Sequence, residues 1–343
     1  MRKLIQYRGA LAYFAGYSIW IAAFKLVSLT FITYFVLASG GAAKIHAAHF
    51  EDVNDAFGSA EIPILALCAL SFVLLQRLLN PLRKADQKPV FTPERFEKRF
   101  LPGFLHGSVL ASGVLLAFLI SGIYHYLGFF VHFEQAAVAF SSILLRTASV
   151  GVFAYCEEYI FRDKILGDLL KVGRETPRAP LPGPEKKRLQ ALVQTQNREL
   201  LAVFATSVLY VAVKFLQFDS ELGWMNGITL FLVSLYLGVR MLFERDFAPG
   251  AGFWAAVLAV FHPLMSLPVF GCDFAGLILI KYEQLTSGIN MTVAETTRFF
   301  SGGIGGPLAS FAFQILMTFD MIRNVLRYKR ETAQCKVQTP QSA

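Results

Sequence analysis

Charge is what this chain has least of. Asp, Glu, Lys and Arg make up 16% of its residues against 55% that are apolar, and the mean hydropathy is +0.50. A soluble domain of that composition would lack polar groups to cover its surface, so the balance excludes one and points to a chain solvated by hydrocarbon. Cysteine is scarce as well: Cys68, Cys156, Cys272 and Cys335 are scattered and form no CxxC pair, which excludes a disulfide framework and a thiolate metal site. The six histidines form no zinc-binding spacing, and no basic, aromatic-interleaved stretch suggests nucleic acid as a partner. The first apolar segment is too long for a cleavable leader and reads as a retained span. The C-terminal QTPQSA carries no cysteine for prenylation. No long internal repeat is present, which weighs against a transporter assembled from matched halves.

What is present is a series of apolar runs. Eight candidate spans are expected, over 10–38, 62–79, 103–130, 138–161, 200–218, 227–243, 252–270 and 307–322. Lys and Arg test this count, because cytoplasmic loops retain them. Arg2, Lys3 and Arg8 lie at the start; Arg77, Arg83, Lys84, Lys88, Arg95, Lys98 and Arg99 follow the second span; and the stretch from Arg162 to Arg198 is strongly basic. Arg245 follows the sixth span and Arg323, Arg327, Lys329 and Arg330 the eighth, whereas the opposite loops hold Lys44, Lys281 and Arg298. The fold class implied is an all-α, polytopic membrane bundle with both termini cytoplasmic. Its net charge of +8 comes from flanks that face anionic headgroups. The organisation divides into a three-span region 1–135, a core 136–270, and an external loop, last span and tail 271–343. The Pro- and charge-rich stretch from Val172 to Gln190 reads as a linker, SGGIGGPLAS (Ser301–Ser310) as a loop and helix start, and Asn290 to Thr292 as a chance glycosylation triplet.

Ionisable groups inside spans cost roughly 2.5 to 3.5 kcal/mol each at a helix centre, so those present face a partner or a cavity. They are Lys25, Arg146, Glu157, Glu158, Arg162, Lys214 and His262. Glu158 and Arg162 are four apart and can pair on one helical face, while Glu157 turns about 100° away toward the face of Phe161 and Arg146. A carboxylate left without a partner in low dielectric is a general-base candidate; the plainer reading is a pair in headgroup water at a span end. Lys25 and Arg146 are expected to snorkel or to pair with a carboxylate such as Glu157, and His106, His125 and His132 to be interfacial structural groups.

EEYIFR, Glu157 to Arg162, resembles the EExxxR motif of the CPBP family, which contains the type II CAAX prenyl endopeptidases and the bacterial Abi proteins. SVLYVAVKF, Ser207 to Phe215, is similar to that family's FxxxH segment, with Tyr210 for the Phe and Lys214 for the His. GFWAAVLAVFHPLMSL, Gly252 to Leu267, resembles its HxxxN segment, with His262 retained and Ser266 for the Asn. The resemblance covers about a third of the chain and implies an intramembrane, glutamate-type endopeptidase that cleaves a membrane-anchored peptide or protein near the cytoplasmic face of a bacterial inner membrane. It makes Glu157 the base, Glu158 and Arg162 a supporting pair, and His262 a polariser or oxyanion donor. No metal or cofactor is implied. The departure at Lys214 keeps an alternative open: an ammonium has no neutral imidazole tautomer to share a water, and it could close on Glu157, leaving a binding or scaffold protein that does not cut.

Overall fold

A computed structural model describes residues 8–40, 48–79, 91–129, 136–174, 185–218, 223–269, 276–282, 302 and 306–337. The chain is an all-α membrane bundle with one small two-stranded ribbon. Its helices are α1 (Arg8–Gly40), α2 (Ala48–Leu79), α3 (Pro93–Ile120), α4 (Ala136–Glu158), α5 (Gly167–Arg174), α6 (Glu185–Gln217), α7 (Trp224–Glu244), α8 (Ala248–Ala259) and α9 (Phe311–Val337). Wide helical turns run from Tyr159 to Leu166 between α4 and α5, and from Val260 to Leu264 at the end of α8.

Among the described residues five helices are long and apolar enough to cross a membrane: Arg8–Phe31, Glu61–Leu78, Pro93–Ile120, Val193–Gln217 and Trp224–Glu244. Their outward faces carry large apolar side chains in the open, among them Ile19, Phe31, Val109 and Ile120. Such faces are stable only against lipid.

Several expected span limits move. The third ends at Ile120 rather than 130, where Gly122 takes φ +71°, and Tyr124–Phe129 becomes a strand, β1. It pairs antiparallel with β2 (Ile278–Tyr282), with an irregularity between Tyr126 and Gly128. Backbone leaving the apolar layer has no lipid-compatible alternative to pairing, so the loops after the third and seventh spans pair with each other. The helix expected to stop at 161 continues through the wide turns to Arg174, so Glu157 and Glu158 are not at a helix end. Ser310 begins α9, accepting from the Phe313 amide at 3.1 Å after a tight turn at Pro307–Ala309. The triplet at Asn290, residues 303–305 of the Gly-rich segment, His132, Cys272, the tail QTPQSA and much of the linker lie outside the described residues.

The centre of the bundle is α8, in which every residue from Ala248 to Ala259 is buried. Sheathed by protein, it need not match the thickness of the hydrocarbon. Asp246 accepts from the Ala248 amide at 3.0 Å and meets Arg95 at 3.2 Å, tying the start of α8 to the start of α3. Below that knot α3 lies backbone against backbone on α8. A Cβ at Gly103 would sit 2.1 Å from the Pro249 carbonyl oxygen, and one at Gly107 would sit 2.4 Å from that of Phe253. Small residues four apart are what permits this approach. One apolar core runs from Ala10 to Met317 through all three expected regions.

Candidate functional site

The site is built where α1, α4 and α6 meet. Glu157 lies where α4 passes without a break into the wide turns, and these carry Phe161 and Arg162 inward, fully buried. Burial of two adjacent carboxylates requires each to be met by a donor, and the structure meets them with different ones.

Glu158 pairs with Arg162, Nε to Oε2 at 3.2 Å, and Arg162 also donates from Nη2 to Ser234 Oγ on α7 at 2.7 Å. The guanidinium lies 5.6 Å from the Tyr210 ring centre. Room for Glu158 comes from Gly250 on α8, where a Cβ would stand 3.3 Å from Oε2. Glu158 Oε1 and Arg162 Nη1 are buried with no hydrogen-bond partner among the described residues.

Glu157 turns about 100° away, as the helical angle requires, and meets Lys214 of α6, whose Nζ donates to Oε2. Both side chains are fully buried. The ammonium stands 4.2 Å from the Phe153 ring centre, 5.0 Å from Tyr210 and 5.5 Å from Phe218, so aromatic faces add to its electrostatic shell. The second carboxylate oxygen, Oε1, accepts from Gln217 Nε2 at 2.7 Å and from the Tyr17 hydroxyl at 3.4 Å. Gln217 also donates to the Tyr17 hydroxyl at 3.3 Å, and its carbonyl accepts from Lys25 Nζ at 2.6 Å. Lys25 therefore reaches the site through Gln217 and approaches Glu61 at 3.9 Å, rather than meeting Glu157.

His262 stands apart from this cluster. Gly250 marks the level of Glu158 on α8, and His262 follows about a dozen residues later, a rise of roughly 18 Å along the helix. The charged side chain acting on His262 is Arg146, which lies a similar distance back along α4. α8 thus runs antiparallel to α4, placing His262 with Arg146 at one level and Glu158 at another. Ser266, with φ +53°, is also elsewhere: its hydroxyl donates to the Ile278 carbonyl at 2.8 Å and accepts from the Gly276 amide at 2.7 Å, anchoring β2. Of the six residues expected at the site, the structure groups Glu157, Glu158, Arg162 and Lys214, and sets His262 and Ser266 outside the group.

Four participants were not anticipated: Tyr17, Gln217, Ser234 and Gly250. Gln217 follows Lys214 by three and so shares its helical face, a local signal. Tyr17, Ser234 and Gly250 arrive from other helices, and nothing in the local sequence announces them. Ser207, by contrast, is bonded back to the Val203 carbonyl at 2.9 Å. No group of three or more His, Cys, Asp or Glu able to hold a metal ion occurs among the described residues.

As it stands the cluster is a neutral, closed pair of ion pairs. Comparison of the chain with protein-family models, curated proteins and solved structures finds no match.

Proposed function

We propose that this protein is a CPBP-like membrane protein that has given up hydrolysis and uses its polar core to hold the bundle while binding a membrane-anchored peptide or protein. The observation carrying the reading is the contact between Lys214 and Glu157. A general base must hold a water and accept its proton, but here one carboxylate oxygen is taken by an ammonium and the other by Gln217 and Tyr17. The aromatic shell of Lys214 leaves it directed at the carboxylate rather than at a developing oxyanion. The separation of His262 from the level of Glu158 argues the same way, because a polariser has to share the water with the base.

A second reading, hydrolysis, is favoured by Glu158 Oε1 and Arg162 Nη1, buried polar atoms that a water could satisfy. It requires Lys214 to withdraw. In both readings the membrane is the bacterial inner membrane that the resemblance implies, and the distribution of Lys and Arg supports cytoplasmic termini.

The experiment is a map of new protein termini, by mass spectrometry, in bacterial membranes carrying the wild-type chain or Glu157→Gln at matched abundance. The two maps are expected to coincide. A terminus that appears with the wild type and disappears with Glu157→Gln would overturn the non-hydrolytic reading.

A further inference from the structure

On the far side of α8 from the glutamate cluster, α3 and α9 leave an open groove of about 510 Å³, lined by His106, Val109, Gly113, Phe118 and Leu316 among others. From His106 to Phe118 it runs roughly 18 Å along α3, close to the ~15 Å of one leaflet's hydrocarbon. Its walls are apolar and its floor is open: a Cβ on Gly113 would meet nothing within 4 Å. His106, half-buried with its ring 5.4 Å from that of Phe253, stands at one end.

That end is charged. Arg240 and Glu244 from α7, with Asp320 and Arg323 from α9, lie within electrostatic range of His106. They form two pairs, Arg240 with Glu244 at 2.7 Å and Arg323 with Asp320 at 2.6 Å. The set has no net charge, so it does not select a simple anion. It also leaves one donor and one acceptor over: Arg240 Nη1 and Asp320 Oδ2 are buried with no hydrogen-bond partner among the described residues. Arg323 is largely exposed and Asp320 largely covered. Arg240 and Glu244 lie in the last turns of α7, whose end is followed by Arg245 of the set assigned to the cytoplasmic side.

We propose that this groove binds a zwitterionic aminophospholipid of the phosphatidylethanolamine type from the cytoplasmic leaflet. One acyl chain lies along α3 between His106 and Phe118. The phosphate accepts from Arg240 and Arg323, and the primary ammonium donates to Asp320 and Glu244. Charge complementarity decides among headgroups: a paired set of two cations and two anions matches a headgroup that carries one of each sign. A phosphatidylglycerol headgroup would leave the carboxylates unanswered, and a trimethylated choline headgroup has no N–H to donate. The site is independent of the glutamate cluster and of whether that cluster hydrolyses anything.

The test is native mass spectrometry of the purified, delipidated full chain offered phosphatidylethanolamine, phosphatidylcholine and phosphatidylglycerol of matched acyl length. Phosphatidylethanolamine should be retained over the other two by roughly tenfold, the worth of one charge-assisted hydrogen bond. Asp320→Asn should reduce that preference over phosphatidylcholine to about onefold while lipid binding persists. Gly113→Leu, whose side chain enters the groove from a position where a Cβ meets nothing within 4 Å, should lower retention of all three. Equal retention of phosphatidylcholine, tighter retention of phosphatidylglycerol, or a lipid-free dimer whose interface is lost in Gly113→Leu would each overturn the proposal. If Asp320→Asn fails to fold, the headgroup comparison on the wild type and on Gly113→Leu still decides.

Discussion

Glu157 and Lys214 form a buried pair in which each charge is tolerable because of the other. Removing one partner strands the second in a medium that cannot solvate it, which costs about 3 to 5 kcal/mol; removing both charges in favour of neutral groups of similar volume is far milder. Lys214→Met should therefore lower the unfolding midpoint of the purified protein in detergent much more than the double change Glu157→Gln with Lys214→Met does. If the single and double variants melt together, the pair is not what holds α4 to α6. Ser234 provides a finer probe, since Ser234→Ala leaves Arg162 with one partner fewer and should cost about 1 to 3 kcal/mol in the same assay. At this scale the sequence was partly legible. The spacing of Glu158 and Arg162 is a helical pair whatever surrounds it, and the turn of about 100° that separates Glu157 from them follows from helix geometry alone. The cation that answers Glu157 comes from a helix more than fifty positions later, and the level of His262 depends on how α8 is inserted, so neither could be read from spacing.

Among the elements, the contact of α3 with α8 makes the sharpest demand. Gly103 and Gly107 face carbonyl oxygens that a methyl group cannot approach, and backbone atoms cannot step aside as a side-chain end would. Gly107→Ala should sharply reduce the folded fraction seen by detergent size-exclusion chromatography, whereas Gly113→Ala, six positions along the same helix and facing open space, should leave it unchanged or raise it slightly, by up to about 1 kcal/mol of helix propensity. Equal behaviour of the two variants would mean that α3 does not dock as described. Gly103 and Gly107 are four apart in GFLHG, but nothing in that spacing names the helix they meet. The helix that fills it, α8, looks in the sequence like any other apolar span, and its complete burial emerges only when its neighbours are in place.

For the whole molecule, the proposed orientation rests on the asymmetry of Lys and Arg, and the pairing of β1 with β2 supplies an independent constraint: the loops after the third and seventh spans must emerge on one side. His125 and Lys281 are direct partners in that ribbon and both are exposed. A His125→Cys, Lys281→Cys double variant should form an intramolecular disulfide on mild oxidation, because facing residues hold their Cβ atoms about 4.5 to 5.5 Å apart. The pair is introduced with Cys272 and Cys335 replaced by Ser, and the remaining Cys68 and Cys156 are buried. Failure to cross-link, with each single variant labelled from opposite sides of the membrane, would refute the ribbon and the topology together. What the sequence determined by itself was the solvent, the helical class and the local pair Glu158–Arg162. Those depend on composition and on periodicities within one segment. What only the tertiary structure decided was which cation answers Glu157, how far His262 lies from it and which helix is sheathed by the others. In hydrocarbon the apolar faces of all spans are equivalent, so the order in which they pack is set by a few close backbone approaches and buried polar contacts between distant parts of the chain.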